Sequence, residues 1–201
     1  MRVWFWLWLL LSVPALGETI RLYDYHQHPP FNTGVDAGLS RELVKYLNEK
    51  LRGEPRIELW LVNRARLALE MADPDFDGLV VWVNPAWVGD PHRERYLWTF
   101  PVMRDTNELV SNIDNPVTYR GPDSLKGLVF GGVEGYRYQG IDDAASRGKL
   151  FISPFPQSSY TRHILLPKSR PELHATLNDI AEQMDRDPRW HKVLESYRGT
   201  L

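Results

Sequence analysis

The sequence predicts an α/β fold on three observations. Strand-like and helix-like segments alternate from residue 20 onward, one apolar run shows no alternation at all, and the chain closes with amphipathic helices whose starts are marked. The first strand is expected over Ile20 to Tyr25, where Ile20, Leu22 and Tyr23 precede the turn-forming Pro29-Pro30. From Gly38 the period becomes helical: Leu39, Leu43, Leu47 and Leu51 recur four apart, and Gly53 followed by Pro55 stops the run. A second strand over Ile57 to Val62 leads into a short helix near Arg64, with Asn63 as its N-cap and Leu67 and Met71 turned inward. Leu79-Val80-Val81-Trp82-Val83 then reads as a strand buried on both faces of a parallel sheet.

The irregular stretch from Asn84 to Arg95 follows the carboxyl end of that strand, where open α/β sheets hold ligands, and is a candidate wall of a site. Extended segments are expected near Tyr96 to Phe100 and Asn107 to Ser111. Pro122 to Gly127 reads as a turn and short helix feeding a strand over Leu128 to Val133, and the Gly-rich passage Gly131 to Gly135 turns towards a helix near Ile141 to Ser146. No Lys-Ser or Lys-Thr pair accompanies those glycines, so they do not form a phosphate loop. Ser169-Arg170-Pro171-Glu172 reads as a capping box for a helix with Leu173, Leu177, Ile180, Ala181 and Met184 on its apolar stripe. Trp190, Val193, Leu194 and Tyr197 mark the stripe of the last helix.

At the amino end, Arg2, the apolar run Val3 to Val13 and the small residues Ala15 and Gly17 read as a signal peptide cleaved after Gly17. The apolar run is about half of the ~20 residues that a membrane-spanning helix needs. Export to the periplasm is the expectation. The 201-residue chain carries 24 Lys and Arg against 26 Asp and Glu, a formal net charge of −2, and loss of Arg2 would make it one unit more negative. Acids and bases are interspersed, with no basic stripe, so nucleic acid is excluded as an expected partner. There is no Cys, so no disulfide can support the fold in an oxidising compartment.

Several landmarks stand in a fixed order: Pro29-Pro30-Phe31, Gly38, Asp77-Gly78, His92-Arg93-Glu94-Arg95 before Tyr96 and Phe100-Pro101, Ser124-Leu125-Lys126-Gly127, Gly135, and the closing passage from Arg162 to Lys168 through Tyr197. In this order they resemble the extracellular solute-binding proteins of family 3, the type 2 periplasmic binding proteins that serve amino-acid ABC transporters. The resemblance covers nearly all of residues 20 to 198. It implies a two-lobed α/β fold, with lobe 1 over 18–103, lobe 2 over 104–160 and a C-terminal strand and helices over 161–201 packing back on the lobes. Two departures stand out. The helix and strand that the family places between Gly148-Lys149-Leu150 and Phe151-Ile152-Ser153 have no counterpart, which makes the second lobe short and removes the acidic residue used for an amino group. Trp82-Val83-Asn84-Pro85-Ala86-Trp87 stands where family members carry small Ser and Thr residues. Both count against an ordinary α-amino acid.

Carried over position by position, the resemblance implies a ligand site at Tyr25 and His28 after the first strand, Arg64 opening the second helix, Asn84 and Arg93 in the long loop, and Tyr136 and Arg137 after the Gly turn; Trp82 and Trp87 join them. Aromatic rings offer flat apolar walls and Arg a planar fork of donors for a carboxylate or phosphate. Backbone N–H groups at the helix start beside Arg64 favour an anion further. Each position also has a plainer reading. Arg64 pairs with Glu70 or Asp73, Trp82 and Trp87 pack between lobes, and Arg93 joins Asp90, Glu94 and Arg95 in a solvated cluster. Asp24, His26 and His28 present metal-ligand types at poor spacing, and Asp142-Asp143 cap a helix.

The expected function is therefore capture of a small polar, anionic or zwitterionic, amino-acid-like molecule, by an expected monomer, for an inner-membrane transporter or receptor. No cofactor, metal or catalytic residue is expected. Two competitors are a sensory or protein-interaction domain on the same fold, motivated by the short second lobe, and a periplasmic lyase or hydrolase using His28 or His163 as an acid-base group.

Overall fold

The parallel part of the sheet is built from the alternating segments at the start of the chain. A computed structural model describes residues 17–128 and 150–197. The signal-peptide run, the strand from residue 129 to Val133, the Gly-rich turn, the helix near Ile141 to Ser146, and Tyr136 and Arg137 lie outside the described residues. Strand β1 (Thr19–Asp24) is central, parallel to β2 (Arg56–Leu61) on one side and to β3 (Leu79–Val83) on the other. Helices α1 (Leu39–Lys50) and α2 (Arg64–Ala72) supply the crossovers. The full order is β2-β1-β3-β8-β4. Strand β8 (Ser158–Leu166) arrives from far along the chain and inserts antiparallel between β3 and β4 (Leu97–Trp98).

The other half of β8 pairs with β5 (Met103–Asn107), so one long strand spans two environments. Beyond that ladder, β6 (Val110–Asn112) and β7 (Leu150–Ile152) form a separate two-stranded sheet. The extended segment expected over Asn107 to Ser111 is therefore divided, with β5 and β6 in different sheets. Of Tyr96 to Phe100, only Leu97 and Trp98 pair as a strand.

Helices α1, α3 (Pro171–Met184) and α4 (Pro188–Ser196) cover one face of the sheet, and α2 covers the other. Gly38 opens α1 because a Cβ there would sit 2.3 Å from the Phe31 carbonyl oxygen, and its φ of 125° belongs to glycine. Asn48 clips α1 to β2, donating to the Ile57 carbonyl at 2.8 Å and accepting from the Ile57 N–H at 2.7 Å. Asn63 caps α2 as expected, its side chain accepting from the Arg66 N–H at 2.8 Å. The capping box expected at Ser169 is not formed. Arg170 is the N-cap of α3, without a side-chain cap bond, and its guanidinium reaches back to Asp77 and Glu18 instead.

All five residues of β3 are buried, as its lack of alternation predicts, but the cause is double. Leu79 and Val81 face the α1 side while Val80 and Val83 face the α2 side. Trp82 should follow Val80 and does not. The register slips between Val80 and Val83, and Trp82 takes a left-handed φ of 61°, which swings its indole onto the same side as Val81. A bulge of this kind re-aims one side chain and strains a bulky residue.

Candidate functional site

The chain reverses direction across the sheet between β1 and β3: β2 lies to one side of β1 and β3 to the other. Ligands in α/β folds bind at such a switch point, beyond the carboxyl ends of the strands. There, β1 delivers Asp24, Tyr25 and His26, β3 delivers Asn84 and Trp87, α2 begins at Arg64, and β8 contributes Tyr160 and Arg162.

Arg162 is the hub of this region. It is 7% exposed, and each of its three guanidinium nitrogens donates a hydrogen bond. Nε donates to Asp105 Oδ2 at 2.8 Å, and Nη2 pairs with the same oxygen at 2.8 Å while donating to the Tyr160 hydroxyl at 3.2 Å. Nη1 donates to the Trp82 carbonyl and to His26 Nε2, both at 3.0 Å. Three rings surround the guanidinium carbon: Phe31 at 4.8 Å, Trp87 at 5.2 Å and Tyr160 at 5.2 Å to their centroids. Trp87 and Tyr160 meet edge to face at 4.9 Å.

Behind the hub runs a buried polar chain. The Asp24 carboxylate lies 2.9 Å from His26 Nδ1 and accepts from Ser40 Oγ at 2.6 Å, and the Trp82 indole N–H donates to Ser40 Oγ at 2.8 Å. A carboxylate only accepts, so His26 carries its proton on Nδ1 and offers the lone pair of Nε2 to Arg162. Burial holds the His26 pKa below its usual value, and Asp24 opposes that shift without overcoming it. Burial also pushes the Tyr160 hydroxyl up to about 12, so it stays neutral beside Asp105.

The outer rim is looser. Tyr25 stacks on His26 at 4.2 Å, and Arg64 lies over the other reach of Tyr25 at 5.6 Å while its Nη2 makes a long 3.5 Å bond to the Trp87 carbonyl. His28 is exposed and meets Phe31 edge-on at 5.9 Å. Two grooves, of about 200 Å³ beside Trp190 and about 510 Å³ beside Glu18 and Arg170, lie elsewhere and contain none of these groups.

No protein-family model matches the sequence, and neither does any curated protein. Solved structures do match by shape. The probable amino-acid ABC transporter extracellular-binding protein ytmK from Bacillus subtilis superposes with a TM-score of 0.64 at 13% identity, over 90% of this chain and 98% of that one. A periplasmic binding protein of Salmonella typhimurium with high arginine specificity gives 0.60 at 12% identity, over 90% and 99%. An ancestral amino acid-binding protein, a precursor of cyclohexadienyl dehydratase, gives 0.61 at 16% identity, over 89% and 94%. The chain has the two-lobed periplasmic binding-protein fold.

Within that binding-protein fold, the structure brings Tyr25, His28, Arg64 and Trp87 together around the hub. Asn84 stands beside them with its amide committed: Oδ1 accepts from the Ala86 N–H and Nδ2 donates to the Thr161 carbonyl, both at 3.0 Å. Trp82 is placed differently from its expected ligand contact. It is fully buried, 5.4 Å from Phe31 and stacked on Trp190 at 6.5 Å, because the bulge turns it inward. Arg93 is exposed on a turn at φ 58°. The neighbouring Asp90 is no part of a solvated cluster. It is buried and accepts from the N–H groups of Glu94, Arg95 and Tyr96 and from the Trp98 indole, which together hold its carboxyl below the usual range against the opposing effect of burial. Arg64 does not pair with Glu70; Arg66 does.

Sequence reasoning missed Phe31, Asp105, Tyr160 and Arg162. Phe31, after Pro29-Pro30, and Arg162, opening the closing passage, stood among the landmarks without being read as site residues; Asp105 and Tyr160 had no such signal and come from paired strands distant in sequence. His163, the proposed acid-base group, is buried with Nδ1 at 2.8 Å from the Thr99 carbonyl and Nε2 at 2.8 Å from Thr161 Oγ1. Both nitrogens are engaged in holding strands together.

Proposed function

We propose that this chain is an exported solute-binding protein whose lobes close on a small polar molecule at the carboxyl ends of β1 and β3. The observation that carries this reading is the aromatic and arginine-rich cluster at the switch point of a periplasmic binding-protein fold. Tyr25 and Trp87 serve as flat walls, and Arg64, at the start of α2 where backbone N–H groups point outward, receives a carboxylate or other anion. The molecule captured is anionic or zwitterionic, and the amino-acid specificities of the neighbouring structures support that class. Residues 1–17 act as the export signal, 18–103 and 104–160 as the lobes, and the β5–β8 ladder as the link on which they hinge. The closed form is read as a monomer by a membrane transporter or receptor.

The test is a thermal-shift screen of amino acids, organic acids and amines, followed by small-angle scattering. A ligand at 100 times its Kd adds about 2.7 kcal/mol of stability, and the radius of gyration should fall with it. Arg64→Ala should weaken an anionic ligand by about tenfold or more. Neither stabilisation nor compaction across the whole screen would end the capture reading.

A further inference from the structure

Arg162 sits where a solute would be expected, and its surroundings have the makeup of a binding site for a cation. A planar guanidinium is enclosed by Phe31, Trp87 and Tyr160, neutralised on one edge by Asp105, and capped on the other by the Trp82 carbonyl and His26 Nε2. These are the elements by which a protein holds a foreign guanidinium: ring faces, a carboxylate and directed acceptors. Here all three nitrogens of the fork already donate within the chain and the side chain is nearly enclosed, so the guanidinium occupies its cage and is turned away from an incoming carboxylate.

The strain beside it points the same way. The bulge at Trp82 places that residue in a left-handed conformation that a tryptophan rarely adopts, and it is the Trp82 carbonyl that then accepts from Nη1. The buried chain from Ser40 through Asp24 fixes the His26 tautomer so that a lone pair, not a proton, faces the guanidinium. Two separate devices thus aim acceptors at one cation.

We propose that Arg162 is a tethered ligand: its guanidinium fills an aromatic cage able to hold a free guanidinium, and in doing so sets the cleft against cationic solutes. This rests on the capture reading only for its consequence in the cleft; the cage itself can be tested without any natural solute. A free guanidinium has the same planar shape and one more donor than the side chain. The 30% exposure of the Asp105 side chain supplies a way in once Arg162 is shortened.

The experiment compares the wild type with Arg162→Ala and Arg162→Gln, using methylguanidinium chloride at tens of millimolar against sodium chloride at equal ionic strength. Shortening the arginine should lower Tm by roughly 10 °C. Methylguanidinium should restore several degrees of this in both variants and leave the wild type unmoved, and a further Trp87→Ala change should abolish the rescue. If the variants do not fold alone, refolding from urea with methylguanidinium but not with sodium chloride supports the proposal. Equal responses in wild type and variants overturn it, as does a folded variant that ignores the cation or a variant that folds under neither salt. The solute screen on the wild type is independent: a cage that passes with no solute response retains the tethered ligand and discards capture, and the reverse result retains capture alone.

Discussion

Arg162 and Arg170 show what burial does to one chemistry at opposite ends of the same sheet. Both guanidiniums meet carboxylates. At the carboxyl end, Arg162 faces Asp105 inside a ring of aromatics and is itself 9% exposed in its side chain. At the amino end, Arg170 ties Asp77, just before β3, to Glu18, just before β1, with its partners 51% and 54% exposed. Water screens the second pair and replaces it readily when broken, so the latch contributes little. The first has no such replacement, because removing the cation leaves His26 Nε2 and the Trp82 carbonyl facing empty space. Arg170 engages two carboxylates and Arg162 one, so a count of ion pairs alone would rank Arg170 first; enclosure reverses the order.

The strongest way to break this comparison is to delete each arginine. Arg162→Ala should cost about 3–5 kcal/mol, read by urea denaturation, with little dependence on salt. A loss under about 1 kcal/mol would place it with the surface pairs. Next comes Asp90→Ala, which sharpens the point by removing an anion instead. It strips the partners from the N–H groups of Glu94, Arg95 and Tyr96 and from the Trp98 indole, and should cost about 2–3 kcal/mol and hasten proteolysis within residues 84–96.

A third prediction concerns pH. Burial keeps the His26 and His163 pKa values below 6.5 in the folded chain, so the unfolded chain takes up protons more readily. Their contribution is fully present above 6.5 and is lost as pH falls from there through the depressed folded values. Stability measured by denaturant between pH 8 and 5 should therefore decline towards acid, and His26→Gln should flatten part of that slope. A rise in stability towards pH 5 would contradict the tautomer assigned to His26. The smallest effect is expected at Arg170→Ala, below about 1 kcal/mol and shrinking further in high salt.

Much of this architecture was legible locally. The leucine spacing of α1, the Asn63 cap and the continuous apolar run of β3 are short-range signals, and each became the expected element. Ser169 misled because a capping motif records only compatibility, whereas Arg170 was drawn off by Glu18 and Asp77, both far away in the chain. Trp82 misled for a related reason: period-two alternation fails at a bulge, and a bulge is a property of two paired strands.

The sequence by itself determined the α/β alternation, the place of the β1, β3 and α2 termini, and hence the end of the sheet at which polar and aromatic residues gather. Those follow from side-chain periodicity and backbone preference, which act over a few residues. Tertiary structure alone decided which arginine is enclosed. Phe31, Trp87, Asp105, Tyr160 and Arg162 converge only because β8 crosses back to pair with both β3 and β5. The charges of Asp105 and Arg162 were plain in the sequence; the low-dielectric surroundings that give those charges their effect were not.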